Sequence, residues 1–182
     1  MTRPALLYLS LVLTSLFMIP DASALAERHH PPKAAAPAEA GGPQVLGRFE
    51  DWTAATHEEA GQTVCYAFTY PKNSAPAIAG RQKPVLTVTE RPSGRDAVAI
   101  SAGFQYATGA EVTVQVEQAA LSFYTSGRSA FAREGAAAVA AFQKARQIFA
   151  RSPNPRGGQV VDTFSMRGFS QAYQAINKAC PR

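Results

Sequence analysis

The chain is short of the residues from which reactive sites are most often built. Its 182 residues include two cysteines, three histidines and one tryptophan, and only 17% are charged. Two cysteines exclude a disulfide-dense miniprotein and a zinc site made of four thiolates. Two of the histidines, His29 and His30, are adjacent with no third ligand nearby, so they read as incidental rather than as a metal site. No G-x-S-x-G elbow, C-x-x-C pair or phosphate-cradling glycine loop occurs. Beyond Ile19 no run is long and apolar enough to span a bilayer. Low charge beside 46% hydrophobic residues still excludes disorder throughout. Much of that fraction is alanine, which buries little area per side chain, so core-forming power is smaller than the percentage implies. The length suits one domain.

What is present begins with an address. Arg3 precedes an almost unbroken apolar run from Ala5 to Ile19, Pro20 ends it, and Ala22-Ser23-Ala24 supplies the small residues of a cleavage site. That order predicts a secretory signal peptide over residues 1–24, with a cut after Ala26 nearly as good. The rival is a membrane anchor, but the run is shorter than the ~20 residues that span a bilayer. No cysteine stands directly after the cut, so no lipid anchor is expected, and no later segment is long or apolar enough to span, so no transmembrane anchor is expected after cleavage. Cleavage removes Arg3 and Asp21 together and leaves the net charge at +5. Residues 25–44, rich in Ala, Pro and Gly, predict a flexible linker, because prolines and scattered charge build no amphipathic face. The folded part is expected over residues 45–182.

From Val45 the pattern is mainly short strands with turn punctuation. Strands are predicted over Arg48–Thr56, Thr63–Tyr70, Val85–Glu90, Ala97–Ala102, Glu111–Val116 and Leu121–Thr125, with a loop over Pro71–Arg81. In the second of these, Val64, Tyr66, Phe68 and Tyr70 share one face, and Cys65, Ala67 and Thr69 the other. A helix is expected from Glu134 to about Arg146, with Lys144 and Arg146 suiting its C-terminal dipole. A hairpin over Gln147–Arg151 and Gln159–Met166 follows. Phe169, Ala172, Tyr173, Ile176 and Cys180 then form one apolar stripe on a helix starting near Gly168. That stripe carries Cys180 to the core-facing side, and the small residues beside Cys65 let a helix approach. A Cys65–Cys180 disulfide is expected in an oxidising compartment, two free buried thiols being the alternative.

Several segments in order resemble the invasion-associated locus B family of Gram-negative envelope proteins. They are Phe49-Glu50-Asp51-Trp52, Val64-Cys65-Tyr66-Ala67, Val88-Thr89-Glu90-Arg91-Pro92, and Asp162 to Phe169 (DTFSMRGF), with Cys180 near the end. In that family an F-G-D-W element opens the domain and D-T-Y-S-L-x-G-F leads into a final helix ending in cysteine. Here Glu50 replaces the usual glycine, Phe131 stands where a tryptophan is common, and the 151–158 link carries two prolines. The resemblance implies a periplasmic or secreted protein, in some members tied to host-cell entry, with no enzymatic activity established.

The residues themselves argue for binding over catalysis. His57, the single histidine of the folded part, would have to serve any Ser-His-Asp triad, with Asp51, Asp96 or Asp162 as its orienter. Beside Glu58-Glu59 it reads better as a solvated hairpin residue. No catalytic, cofactor or metal residue is therefore assigned. A binding surface could include Trp52, Asp51, Asp162 and Arg167, although burial is the favoured role for Trp52, and satisfying donors near the terminal helix for Asp162. The cations, Arg81, Lys83, Arg95, Arg146 and Lys178 among them, are dispersed, as on a solvated face. With a pI near 9.5 they permit attraction to anionic envelope components. The partner is an unidentified envelope or host protein or such a component, not nucleic acid, and the protein is expected to be a monomer. A hydrolase with an unaligned site and a chaperone-like envelope-stress protein are the alternatives. The expected fold is α+β: a mainly antiparallel sheet, sandwich or half-barrel, with two helices, the C-terminal one packed on the sheet and disulfide-bridged.

Overall fold

The computed structural model describes residues 42–182; the expected signal peptide, most of the expected linker and His29-His30 lie outside the described residues. Within them eleven strands form one antiparallel sheet. In chain order the elements are β1 (Gln44–Phe49), β2 (Trp52–Glu59), β3 (Gln62–Thr69), β4 (Asn73–Ala75), β5 (Val85–Arg91), β6 (Gly94–Ser101), β7 (Glu111–Val116), β8 (Ala119–Ser126) and β9 (Ser129–Ala132). Then come α1 (Gly135–Phe142), β10 (Gln147–Pro153), β11 (Gln159–Ser165) and α2 (Phe169–Ala179). The α+β architecture expected from the sequence is present.

Several local readings need correction. The strand expected over Arg48–Thr56 is two strands, β1 and β2, reversed at Glu50-Asp51 so that Phe49 pairs with Trp52. Glu50 makes that reversal at φ 50° without the glycine that would signal it. The expected 71–81 loop contains β4, and β9 is too short for its alternation to register. Helix α1 stops at Phe142, so Lys144 and Arg146 lie beyond it and do not serve its dipole.

Across the sheet the order is β1-β2-β3-β5-β6-β9-β8-β7-β10-β11-β4. Strand β4 follows β3 in the chain yet lies at the opposite edge, and only residues 70–72 connect them. Three residues reach about 10 Å, so the sheet must curl until its two ends nearly meet. Backbone bonds confirm the closure: Lys72 N–H donates to Thr163 O (2.8 Å) and Asp51 N–H to Arg167 O (3.3 Å).

The concave side of the curl is the core. Alternation puts Ala54, Cys65, Ala67, Leu86, Val88, Val98 and Ile100 there, all buried. Helix α2 lies over β1, β2, β3 and β5 with Phe169, Ala172 and Ile176 inward, and α1 covers β6 with Ala138, Val139 and Phe142. Phe169 is the meeting point, with ring centroids 4.8 Å from Trp52, 5.8 Å from Phe142 and 5.8 Å from Tyr173.

Beneath the end of α2 lies a polar knot. Arg95 reaches Cys180 O (2.7 Å) and the Asn177 amide oxygen, and its Nε stands 2.6 Å from Glu90 Oε2. Glu90 is fully buried and its Oε1 has no hydrogen-bond partner among the described residues. Burial holds its carboxyl above the ordinary carboxylate range, against the pull of the Asp96 N–H and the Arg95 charge. Burial, together with its bond to Asp96, also pushes the Tyr173 hydroxyl up to about 12.

Cys65 and Cys180 are bonded, with Cα atoms 6.0 Å apart, and the bridge ties α2 to β3 across 115 residues. Reduction is expected to lower the unfolding free energy by about 4–5 kcal/mol in the chain-entropy view. Urea unfolding with and without reductant measures this; coincident midpoints would show that the bridge contributes nothing.

Candidate functional site

The seam where the sheet ends meet gathers most of the unusual polar chemistry. The β1–β2 turn supplies Glu50 and Asp51, the β3–β4 link supplies Lys72, and the segment after β11 supplies Arg167. Two features hold these pieces together. Trp52 Nε1 donates to Ser165 O at 3.0 Å, carrying the first hairpin to the end of β11. Gly168 adopts φ 86°, and a Cβ there would sit 1.9 Å from Phe49 O, so only glycine lets the chain pass this close before α2 begins.

Asp51 lies at the centre. Its carboxylate takes a hydrogen bond from the Lys72 ammonium. That bond, a second from Ser165 and the nearby charge of Arg167 hold its carboxyl below the ordinary range despite some burial. Two clefts flank the Asp51–Lys72 pair. One, of about 670 Å³, is lined by Arg146, Gln147, Thr163, Ser165 and Arg167. The other, of about 420 Å³, is lined by Arg48, Glu50, Thr53, Phe68, Tyr70 and Pro71. In the larger cleft Asp51 is the lone carboxylate and Lys72 already occupies it. Arg167 pairs with Glu50 at 2.6 Å, but both side chains are largely exposed and such a pair is weak. Arg146 is in no ion pair among the described residues. The seam therefore carries an excess of positive charge facing solvent.

Of the four residues considered for a binding surface, the structure brings only Asp51 and Arg167 to that seam and into solvent. Trp52 is 1% exposed and fills core against Phe169. Asp162 is fully buried, on the same face of β11 as Val160 and Phe164. It receives a bidentate pair from Arg81 (2.8 and 2.5 Å) and a bond from Ser74 Oγ (2.6 Å). Arg81 also donates to Ala102 O (2.6 Å), and its side chain is 6% exposed, so it is no part of a solvated cationic face. Together they pin the 71–83 segment to β11. Lys72 and Arg146 went unmarked in the sequence because nothing local separates them from other surface cations. Their placement follows from the closure.

His57 stands on the outer face of β2, 5.3 Å from the Tyr66 ring and 3.9 Å from Glu59. Among the described residues no serine or cysteine nucleophile is hydrogen-bonded to it, as a triad would require. Among the described residues no cluster of three or more His, Cys, Asp or Glu could hold a metal ion, and no helix is long and apolar enough to cross a membrane.

The family model described as invasion associated locus B (IalB) protein matches residues 52–177. Among solved structures, the crystal structure of invasion associated protein B from Bartonella henselae superposes with a TM-score of 0.56 at 16% identity, covering 74% of this chain and 95% of that one. At that identity the likeness speaks for the fold. No curated protein matches the chain.

Two predictions test this account of the region. Asp162→Leu strands the Arg81 guanidinium in the interior and is expected to cost about 3–5 kcal/mol, most of it regained when Arg81→Met is added to it. A double-mutant cycle by urea unfolding checks it, and additive losses would break the pairing. Glu50→Gly relieves a left-handed backbone and is expected to add about 0.5–1 kcal/mol net of chain entropy. Glu50→Ala, which keeps the strain, should add nothing; equal stability of the two variants would remove strain as the cause.

Proposed function

The chain belongs to the invasion associated locus B family, and on that footing we propose that it is an exported envelope protein that works by binding, with the basic seam as its contact surface. The observation that carries this is the cleft beside Asp51, where Arg146 and Arg167 face solvent and the one carboxylate is already held by Lys72. Such a site attracts an anionic group of an envelope component or a host partner. Among the described residues no constellation of nucleophile, base and orienter competes with it. An enzymatic activity is not known for the family.

Export supports the same reading. Residues 1–24 have the order of a cleaved signal, and a structural disulfide is at home in an oxidising compartment. Family membership fits a place in the periplasm, on the envelope or outside the cell, and contact with host cells is the role to examine first.

The test uses lipopolysaccharide micelles as the anionic probe and the oxidised protein purified from the periplasm of an expressing Gram-negative host. Affinity is expected to fall as salt rises, and the Arg146→Ala, Arg167→Ala pair to weaken it about tenfold at low salt. An affinity that this double variant leaves unchanged overturns the seam as the contact. A turnover activity lost in His57→Ala overturns the binding reading itself.

A further inference from the structure

Four large apolar side chains are exposed among the described residues, and three of them, Val45, Leu46 and Tyr70, gather at the β1 end of the sheet. The register places Val45 across from Ala55 and, one strand on, Tyr66; it places Arg48 across from Thr53 and then Phe68. Val45, Arg48, Tyr66 and Phe68 therefore share the convex face, away from the helices, and Tyr70 follows in the same alternation. Leu46 stands beside them, unpaired in the register shift of β1. Tyr66 and Phe68 are half-buried and stack on each other at 5.9 Å, while Tyr70 meets Phe68 edge-on at 5.8 Å. Half-buried Val85 on β5 extends the apolar cover. Strand β1 has a partner strand on one side only, so the patch runs out to the rim of the sheet.

Cations border this patch, and the acids near it are already held. Arg48 is exposed and lines the cleft that Phe68, Tyr70 and Pro71 share. Lys83, also exposed, sets its Nζ 3.6 Å from the Tyr70 ring centroid. Neither is in an ion pair among the described residues. The nearby acids each have a cation: Asp51 takes Lys72, Glu50 takes Arg167 at 2.6 Å, and Glu59 at the far end of β2 takes Arg91 at 3.0 Å. Glu58 falls on the other face by alternation, where it accepts from Thr63. One apolar patch is thus bordered by Arg48 and Lys83 with no acid on this face left over to meet them.

We propose that this patch docks the domain on a bilayer surface bearing anionic headgroups, with Val45, Leu46 and Tyr70 entering the headgroup layer and Arg48 and Lys83 meeting lipid phosphates. Tyrosine has an apolar body and a polar tip, the combination that settles at a membrane–water boundary. Arg48 and Lys83 carry their charges on long apolar stems, and such side chains lie along an apolar surface while the charge reaches the phosphates. Shape and charge both favour this occupant. A protein partner must offer a hollow matched to a convex surface at the packing density of an interior, whereas a headgroup layer moulds to it. A two-fold contact with a second copy brings Arg48 and Lys83 to a face with no acid left for them. The inference rests on the reading of an exported envelope protein that binds, and it names the partner of a second surface, distinct from the Arg146 cleft.

The test measures co-sedimentation of the oxidised protein with two kinds of vesicle: phosphatidylglycerol and phosphatidylcholine in equal parts, and phosphatidylcholine alone. Binding to the mixed vesicles is expected at low salt, falling as salt rises, with little on the neutral ones. Arg48→Ala and Lys83→Ala are each expected to lower the partition about fivefold. Val45→Ser combined with Leu46→Ser, at two exposed positions, is expected to lower it about tenfold with no change in net charge. Lys178→Ala removes one exposed cation from α2, on the other side of the sheet, and should change the partition by less than about twofold. Unchanged urea midpoints show that each variant is folded. No binding to the mixed vesicles at low salt overturns the proposal, as does binding indifferent to Val45 and Leu46, or lowered equally by Lys178→Ala. Full competition by free glycerol phosphate overturns it in favour of a soluble anion. Self-association abolished by the Val45→Ser, Leu46→Ser pair overturns it in favour of a second copy. Should vesicle binding fail while lipopolysaccharide affinity still depends on Arg146 and Arg167, this inference falls and the seam reading stands.

Discussion

Everything in this domain leans on the contact between Trp52 and Phe169. One ring opens β2 and the other opens α2, more than a hundred residues later, and their centroids lie 4.8 Å apart. The indole also donates to Ser165 O, so one side chain touches the first hairpin, the last strand and the last helix. An eleven-stranded sheet with two short helices has a concave face larger than those helices could cover if it were flat. Curling the sheet until its ends meet solves that, and the Trp52–Phe169 pair sits where the closure is made. The disulfide acts at the other end of the same helix, pinning Cys180 to β3. Gly168 is the small residue that lets α2 start so close to Phe49.

Charge follows from this packing more than from composition. The arginines look evenly spread in the sequence, yet two are absorbed into the interior beside carboxylates, Arg81 with Asp162 and Arg95 with Glu90. The first is fully satisfied and fastens a long loop; the second leaves one carboxyl oxygen without a partner. Removing such pairs takes Arg81 and Arg95 out of the surface account, whereas Arg146 stays exposed and unpaired at the seam among the described residues. A count of charges would not have separated them from the rest.

The parts of the fold legible in the sequence were those with a short-range period. The alternation of Val64 to Tyr70 gave β3 and its two faces, and the stripe from Phe169 to Cys180 gave α2. Placing Cys65 among small residues and Cys180 on that stripe was enough to expect their bond. The split of β1 from β2 was hidden because Glu50 occupies a left-handed turn where glycine would have marked it. Strand β4 and the Arg81–Asp162 pair were hidden for a different reason: their partners lie over eighty residues away, and no local pattern encodes a meeting that only the curl creates. Of the candidate surface, Asp51 and Arg167 were found through their motifs, whereas Lys72 and Arg146 join them only by closure.

The position of α2 also sets an order of events during synthesis. Strands β1 to β3 emerge first, and their inner face, with Trp52, Ala54, Cys65 and Ala67, is covered by a helix made last. Until that helix arrives, an apolar surface and a reactive thiol are both open to wrong neighbours, and contacts of such long separation are slow to form. The nascent protein therefore passes through a vulnerable interval whose length is set by the arrival of α2 rather than by its own folding rate. In that interval the exposed face and the open thiol of Cys65 have no fold of their own to protect them.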